Sequence, residues 1–131
     1  MNEAGVAVKL KEKNRGWLWV PTPDKFGTGI PDRILLLKGQ GCVVWVELKF
    51  LRSLPKNRCK VGLKRKQAGF LGKWKIDGGN SALIVGVADE NKVAIFWEDF
   101  SRIAIEGVTR QEFELVDYAS IGKLLKEKFV G

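Results

Sequence analysis

The feature that most constrains the fold is an apolar segment, residues 42–49, that ends in charged residues. It reads Cys-Val-Val-Trp-Val-Glu-Leu-Lys and has the β-branched and aromatic composition of a strand. A second apolar segment, residues 32–38, precedes it, and the turn sequence Gly-Gln-Gly at residues 39–41 joins the two. With a further strand at residues 17–20, the pattern predicts a meander of short strands.

The hairpin is expected to bring charged side chains together. Glu47 and Lys49 are two residues apart on the strand, so they share a face. Burying such charges costs several kcal/mol unless they are paired or bound to a metal. With Gln40 as the turn centre, residue i pairs with residue 80 − i. This register places Asp32 opposite Leu48, so two carboxylates and one lysine become neighbours.

Two carboxylates beside a lysine indicate phosphodiester hydrolysis. Converging carboxylates suit Mg²⁺ or Mn²⁺, hard cations that prefer oxygen ligands and take others from water and phosphate. A nearby lysine can orient or deprotonate the attacking water and stabilise the transition state. The spacing is equally compatible with a surface aspartate at a strand start and an ordinary Glu–Lys pair at a strand end.

The composition narrows the chemistry. The 131 residues suit a single domain over residues 1–131. The absence of histidine excludes Ser-His-Asp and Cys-His sites and every His-ligated metal. Cys42 and Cys59 form no CxxC motif, which excludes a structural zinc site. With no long apolar run and no signal pattern, we expect a soluble cytoplasmic protein, in the host cytoplasm if a phage encodes it.

The charge is concentrated in the first part of the chain. Residues 1–76 carry a net charge of +12, whereas residues 77–131 carry −4. Residues 49–75 hold ten basic residues and no acid, a pattern that attracts polyanions such as nucleic acid. A solvated face and an anionic membrane surface are the alternatives. The candidate phosphate contacts are Arg52, Lys56, Arg58, Lys60, Lys64, Arg65 and Lys66.

The remaining pattern predicts an α/β or α+β fold, with a mixed sheet of about five strands flanked by helices. Helices are expected over residues 2–14, 63–77, 97–103 and 120–129, and further strands over residues 82–87 and 92–96. Loops are expected over residues 21–31 and 50–62. The tryptophans Trp17, Trp19, Trp45 and Trp74 are expected in the core rather than as base-stacking platforms.

The motifs resemble those of a nuclease superfamily. Pro31-Asp32 followed by Glu47-Leu48-Lys49 is similar to the PD-(D/E)XK pattern. The longer stretches, residues 29–33 and 46–49, resemble the VRR-NUC branch and the archaeal Holliday junction resolvases. Gln67 is similar to the glutamine that opens the helix after the motif in both groups, and Glu3 matches their early-helix acid. The resemblance covers residues 3 to about 87.

The resemblance implies a restriction-endonuclease-like core and a role for each matching residue. Asp32 and Glu47 would bind Mg²⁺ or Mn²⁺ with the Leu48 carbonyl as a third ligand, and Lys49 would be the catalytic lysine. Gln67 would support the site from its helix. Glu3 would be an accessory ligand or would position the water, with Glu12 as the rival for that role.

The first functional prediction is a metal-dependent endonuclease for branched DNA, similar to Holliday junction resolvases, with flaps or forks as further substrates. Such resolvases work as homodimers, and we expect a homodimer face formed by residues 82–96 and 113–131. No pattern of a base-reading element is present, which favours DNA structure over sequence as the target. The alternatives are a non-catalytic nucleic-acid-binding module on a nuclease core and a restriction-type or nicking endonuclease.

Overall fold

The computed structural model describes residues 2–22 and 28–131, so the loop expected over residues 21–31 lies partly outside the described residues. The helices are α1 (Glu3–Lys13), α2 (Arg65–Ile76), α3 (Phe100–Glu106) and α4 (Ile121–Phe129). The strands are β1 (Trp17–Pro21), β2 (Arg33–Leu37), β3 (Val43–Leu51), β4 (Arg58–Cys59), β5 (Ser81–Val87), β6 (Lys92–Phe96) and β7 (Val108–Thr109). No helix in these described ranges is both long and apolar enough to cross a membrane.

Five strands form a mixed sheet in the order β1-β2-β3-β5-β6. Only the β3–β5 pair in this sheet is parallel, and α2 makes the crossover between these two strands. Helices α1 and α4 pack on one face through Val6, Leu10, Ile121 and Leu125. Helices α2 and α3 pack on the other face. The structure confirms the expected mixed sheet flanked by helices.

The register of the β2–β3 hairpin differs by one residue from the prediction. Ile34 lies opposite Trp45, so paired residue numbers sum to 79. The cause is a turn of four residues, 38–41, closed by the hydrogen bond from the Leu37 N–H to the Cys42 carbonyl at 2.8 Å. Glycines in the turn supply the positive φ angles that it needs. Continued by one residue, the observed register places Asp32 opposite Glu47 rather than Leu48.

The segment expected to be a basic loop contains more structure than predicted. β3 continues to Leu51, and residues 58–59 form β4, which pairs with β7 about fifty residues later in the chain. A two-residue strand with so distant a partner carries no local signal, because strand pairing depends on context. The predicted helix over residues 97–103 is also displaced, since Asp99 adopts a left-handed conformation and α3 begins after it.

The tryptophans divide into two groups. Trp17 and Trp19 are buried, as predicted, and their indole N–H groups donate to the backbone carbonyls of Gly122 and Asn14. Trp45 is half-buried and Trp74 is exposed over 38% of its surface. The prediction that all four lie in the core is therefore wrong for Trp74, and Trp45 lies outside both core clusters. The reason is that α2 packs over β3 and β5, while β1 and β2 lie farther along the sheet.

The expected homodimer face does not fit the position of β5. All seven residues of β5 are buried, and the strand lies between β3 and β6 in the sheet. β6 is also covered in part, because Val93 forms a bridge with Val116. Residues 82–87 are thus interior core and are not available to a second copy of the chain.

Candidate active site

Glu47 is the centre of a buried polar cluster on β3. Its side chain is almost wholly inaccessible, with 1% of the residue exposed. The Asp32 N–H donates to Glu47 Oε1 at 3.2 Å, and Gln67 Nε2 donates to Glu47 Oε2 at 3.1 Å. Lys49 Nζ lies 3.3 Å from the same Oε2. Three elements of the fold thus hold one carboxylate in a fixed orientation.

Asp32 is the residue just before β2, and its side chain points toward the cluster around Glu47. Its Oδ2 accepts a hydrogen bond from the Leu48 N–H at 3.1 Å. The N–H and C=O of one residue in a strand point to the same side, so the Leu48 carbonyl also faces the Asp32 side of β3. The β2–β3 ladder ends at the Arg33–Val46 pair, which leaves Leu48 beyond it. Two carboxylates and one backbone carbonyl therefore converge at the open end of the hairpin.

The Glu47 carboxyl titrates far from its ordinary range. Its pKa is raised to about 8, chiefly by burial and then by the adjacent Asp32 carboxyl through hydrogen bonding and charge repulsion. The Lys49 ammonium opposes this shift only in part. Ionisation of Glu47 beside Asp32 is therefore costly when no cation is bound. Carboxyl groups with pKa values shifted in this way are typical of functional sites.

The donor set fits a hard divalent cation. Carboxylate and carbonyl oxygens are the ligands that Mg²⁺ and Mn²⁺ prefer, and Mg²⁺ keeps several waters when a protein offers few ligands. A cation between Asp32 and Glu47 would offset both the burial of the Glu47 carboxylate and its repulsion by Asp32, which together raise the pKa of Glu47. The described residues contain no group of three or more His, Cys, Asp or Glu side chains arranged for a metal, so water and phosphate would complete the coordination.

Lys49 lies between two carboxylates. The residue is 8% exposed, and its Nζ is 3.7 Å from Glu3 Oε1 as well as 3.3 Å from Glu47 Oε2. Glu3 stands in the first turn of α1, and Asn2 caps that helix by accepting from the Gly5 N–H at 3.0 Å. Glu12 is nine residues farther along α1, about 13 Å away at 1.5 Å per residue. The structure therefore brings Glu3, and not Glu12, to the lysine.

Gln67 connects the site to the start of α2. Its Oε1 accepts from the Lys64 N–H at 2.9 Å, while its Nε2 donates to Glu47. A helix begins with unpaired N–H groups, so this side chain stabilises the helix end and orients the carboxylate at once. The segment that leads to Asp32 also docks here. A side chain at Gly29 would approach the Lys66 carbonyl to 2.4 Å, and its φ of +86° is left-handed.

Gly29 is therefore required where the segment before Asp32 passes close to α2, a requirement that the sequence pattern does not reveal. Its close approach to α2 depends on a contact between segments about 37 residues apart, which no local pattern reveals. The signal that could have found it is a glycine three residues before a candidate ligand, in a loop that must pass close to another backbone.

The seven candidate phosphate-contact residues are all exposed. Lys64, Arg65 and Lys66 lie at the start of α2, within three residues of Gln67. Lys60 adjoins Val61, which lines the same depression as Glu3 and Lys49. Arg58 donates to the Glu106 carbonyl at 3.4 Å, and Arg52 is at the end of β3. Lys60 and residues 64–66 thus adjoin in the chain residues that belong to the site, and contact of the seven residues with phosphate remains a prediction.

Comparison with solved structures identifies the fold. The chain is similar to Hjc, a Holliday junction resolvase from the archaeal hyperthermophile Archaeoglobus fulgidus, with a TM-score of 0.58 over 91% of this chain and 98% of that chain. The chain has a restriction-endonuclease-like fold. The sequence identity is 13%, so the likeness concerns the architecture. The resemblance drawn from the PD-(D/E)XK motifs is thereby confirmed for the fold.

A second similar structure is described as a VRR_NUC domain. It has 22% identity and a TM-score of 0.49, over 67% of this chain and 87% of that chain. No protein-family model matches the sequence, and no curated protein matches it.

Proposed function

We propose that the chain is a divalent-metal-dependent endonuclease that hydrolyses phosphodiester bonds in branched DNA. The observation that carries the proposal is the buried Glu47 carboxylate, held by Asp32, Lys49 and Gln67 on a fold that a Holliday junction resolvase shares. Buried charges are costly, and a domain that served only as a scaffold would be more stable with apolar residues at these positions.

In the proposed site, Asp32, Glu47 and the Leu48 carbonyl would hold one Mg²⁺ or Mn²⁺ ion. When bound, such an ion supplies a Lewis acid for the scissile phosphate and lowers the pKa of a bound water. The chain's own contribution is to fix the two carboxylates through the Asp32 and Leu48 N–H groups. Because these donors belong to the backbone, the ligand geometry is set before substrate arrives.

Lys49 would be the catalytic lysine. Its ammonium is held by Glu47 and Glu3, close enough to the carboxylate pair to position an attacking water and to stabilise negative charge on the phosphate. Glu3 would act as a positioning residue that holds the lysine, and Gln67 would hold the Glu47 carboxylate. The basic residues at the start of α2 would grip the phosphates beside the cut.

A homodimer would place one such site on each of two strands at a four-way junction. The absence of a base-reading pattern in the sequence favours recognition of DNA shape. The rival proposals are a module that binds nucleic acid without cutting it, and a nuclease that reads sequence in linear duplex. Both rivals predict a different response to DNA structure and to metal.

The experiment is cleavage of a labelled panel with Mg²⁺ or Mn²⁺: linear duplex, single strand, fork, flap and four-way junction. We expect paired, symmetric cuts in the junction and slower cutting of forks and flaps. Asp32→Asn should remove cutting, and Asp117→Asn, an exposed carboxylate distant in the chain, is the matched control. Tight binding to all substrates without cutting would favour the binding module, and preferential cutting of linear duplex at one sequence would favour the restriction-type enzyme.

A further inference from the structure

β1 is an edge strand of the five-stranded sheet, and β2 is its one strand neighbour among the described residues. At the two ends of this pairing, the Lys38 N–H donates to the Gly16 carbonyl at 3.0 Å and the Thr22 N–H donates to the Asp32 carbonyl at 2.9 Å. Hydrogen bonding alternates along an antiparallel ladder. The even-numbered residues of β1 therefore bond to β2, and the odd-numbered residues direct their backbone groups to the free edge.

The free edge of β1 thus presents a short row of backbone donors and acceptors. Trp19 offers both its N–H and its carbonyl, while Trp17 and Pro21 offer their carbonyls. The Trp17 N–H donates to the Asn14 carbonyl at 3.1 Å, and Pro21 has no N–H, so the row is limited at both ends. Such a row is a template on which an extended peptide can add as a further strand.

A depression of about 480 Å³ lies between α1 and β1. Three consecutive residues of β1, Trp17 to Trp19, line it together with residues of α1. Because consecutive side chains of a strand point to opposite faces, a depression that touches all three runs along the edge of the strand. Its lining includes two exposed apolar side chains, since Val8 is 56% exposed and Leu18 is 44% exposed.

Three exposed cations surround the depression. They are Lys11 on α1, Arg15 just after this helix, and Lys38 just after β2. None of the three forms an ion pair within the part of the chain that the structure describes. Glu12 also lines the depression, so three cations and one carboxylate give a net charge of +2. The charge of the rim is therefore available to an acidic ligand.

We propose that the free edge of β1 and this depression form the docking site for an extended acidic segment of a partner protein. The segment would add to the sheet as a further strand and exchange hydrogen bonds with the backbone of Trp19. Its apolar side chains would contact Val8 and Leu18, and its carboxylates would face the three cations of the rim. Backbone pairing would supply affinity, and the charged rim would select acidic sequences.

Two other occupants fit this edge less well. A second copy of the chain carries a net charge of +8, so repulsion by the basic rim opposes it. Nucleic acid suits the cations but not the strand edge, because phosphate oxygens only accept hydrogen bonds and would face the outward carbonyls of Trp17 and Trp19. A peptide offers an N–H for a carbonyl and a carbonyl for an N–H.

The docking site is separate from the candidate active site. Lys11 lies eight residues after Glu3 on α1, about 12 Å along the helix at 1.5 Å per residue. The partner segment and the metal can therefore be bound at the same time. Docking is measured without metal or DNA, so this proposal and the proposed nuclease function can fail separately.

The first test is fluorescence anisotropy of the whole chain with a labelled probe, a peptide of about eight residues in which glutamate and valine alternate. We expect saturable binding that weakens as salt rises. The double variant Lys11→Glu, Arg15→Glu should raise the Kd at least about tenfold. The control, Lys92→Glu with Lys126→Glu, makes the same change of charge on β6 and α4 and should stay within about twofold of the wild type.

The second test asks whether the probe adds as a strand. One modified probe carries N-methyl groups on the valine amides and another on the glutamate amides. Since every second residue of an added strand faces β1, one of these two probes should bind at least about tenfold more weakly than the unmodified probe. In amide hydrogen exchange, the unmodified probe should slow exchange of the Trp19 N–H and leave that of Leu18, already bonded to β2, unchanged.

No binding of the probe at millimolar concentration would overturn the proposal, and so would an unchanged Kd in the Lys11, Arg15 double variant. Equal binding of all three probes would overturn it as well, because it would show attraction by charge alone. If the probe does not bind and the double variant weakens binding of linear duplex more than its control does, the depression contacts DNA instead. An unchanged Tm shows that the variants fold, and the three probes test the wild-type chain without any substitution.

Discussion

The Asp32 N–H donates to Glu47 Oε1, and the Asp32 carboxylate accepts from the N–H of Leu48, the residue after Glu47. Each of the two side chains is therefore held by a backbone N–H of the segment that carries the other. This reciprocal arrangement follows from the hairpin register, which sets the two residues opposite one another. The carboxyl pair is therefore organised by the fold rather than by the ligand, and the cost is that burial and the neighbouring Asp32 carboxyl raise the pKa of Glu47.

The first prediction concerns stability against pH without metal. The pKa of Glu47 is about 8 in the folded chain against 4.5 for a glutamate in water, so between these pH values the folded state holds a proton that the unfolded state releases. The free energy of unfolding of the wild type should therefore fall as pH rises from about 4.5 to 8. Glu47→Gln lacks this loss, so its stability relative to the wild type should rise with pH across this range, by up to about 1.4 kcal/mol per pH unit.

Urea unfolding in a chelator at several pH values measures this difference. The Glu47→Gln advantage should shrink as pH falls toward 4.5. Glu12→Gln, on the exposed part of α1, is the control and should follow the wild type at every pH. A variant less stable than the wild type at pH 8, with no pH dependence in the difference, would show that Glu47 is already a carboxylate without metal.

The second prediction separates the lysine from its two neighbours. Lys49→Met should leave metal binding intact and lower kcat about 10²–10⁴-fold, because the ammonium acts on the water and the transition state. Glu3→Gln removes one of the contacts that hold Lys49 and should lower kcat about tenfold with little change in KM. Single-turnover cleavage and calorimetric titration with Mn²⁺ measure the two effects. Equal activity of Glu3→Gln and Glu12→Gln would remove Glu3 from the account.

The third prediction uses the two hydrogen bonds of the Gln67 side chain. Gln67→Glu keeps the acceptor for the Lys64 N–H but faces Glu47 with a carboxylate, so it should fold with nearly unchanged Tm and lose most of its activity. Gln67→Ala removes both bonds and should also cost about 1 kcal/mol of stability. The exposed Gln40 gives the control variant Gln40→Ala. If Gln67→Glu kept full activity, the bond to Glu47 would have no catalytic role.

The hairpin explains why so much of the site could be predicted from the sequence. Alternation on a strand fixes the common face of Glu47 and Lys49, and a glycine-rich turn brings Asp32 back to them in any nearby register. The observed register differs by one residue from the predicted one, which places Asp32 opposite Glu47 rather than opposite its neighbour Leu48. The two carboxylates are neighbours in either register. The helix that supplies Gln67 is predicted because Leu63, Phe70, Leu71 and Trp74 recur at helical spacing and two glycines follow it.

What the sequence could not supply depends on contacts between distant segments. The β4–β7 pair and the approach of Gly29 to α2 join residues tens of positions apart, and neither leaves a local pattern. The exposure of Trp74 was mispredicted for a similar reason. An apolar stripe on a helix shows which side is apolar but not whether the fold or another chain covers it.

The fourth prediction concerns the basic residues near the site. Each phosphate contact contributes about 0.9 to the slope of log Kobs against log salt for duplex DNA. The combined variant Lys64→Gln, Arg65→Gln and Lys66→Gln should therefore reduce the slope by about 2–3. The control is a second triple variant, Lys92→Gln, Lys126→Gln and Lys128→Gln, which removes the same charge at positions on β6 and α4. An equal reduction by both triple variants would indicate attraction by net charge alone.

The central claim is that the Asp32–Glu47 pair holds a metal for phosphodiester hydrolysis. The most direct measurement is the cleavage rate of a labelled four-way junction against Mn²⁺ concentration, with wild type, Asp32→Asn and Asp117→Asn side by side. We predict cutting that requires the metal, is lost in a chelator, and falls at least about 10³-fold in Asp32→Asn alone. Cutting that persists in the chelator or in Asp32→Asn, or a folded wild type that cuts no DNA with either metal, would contradict the claim.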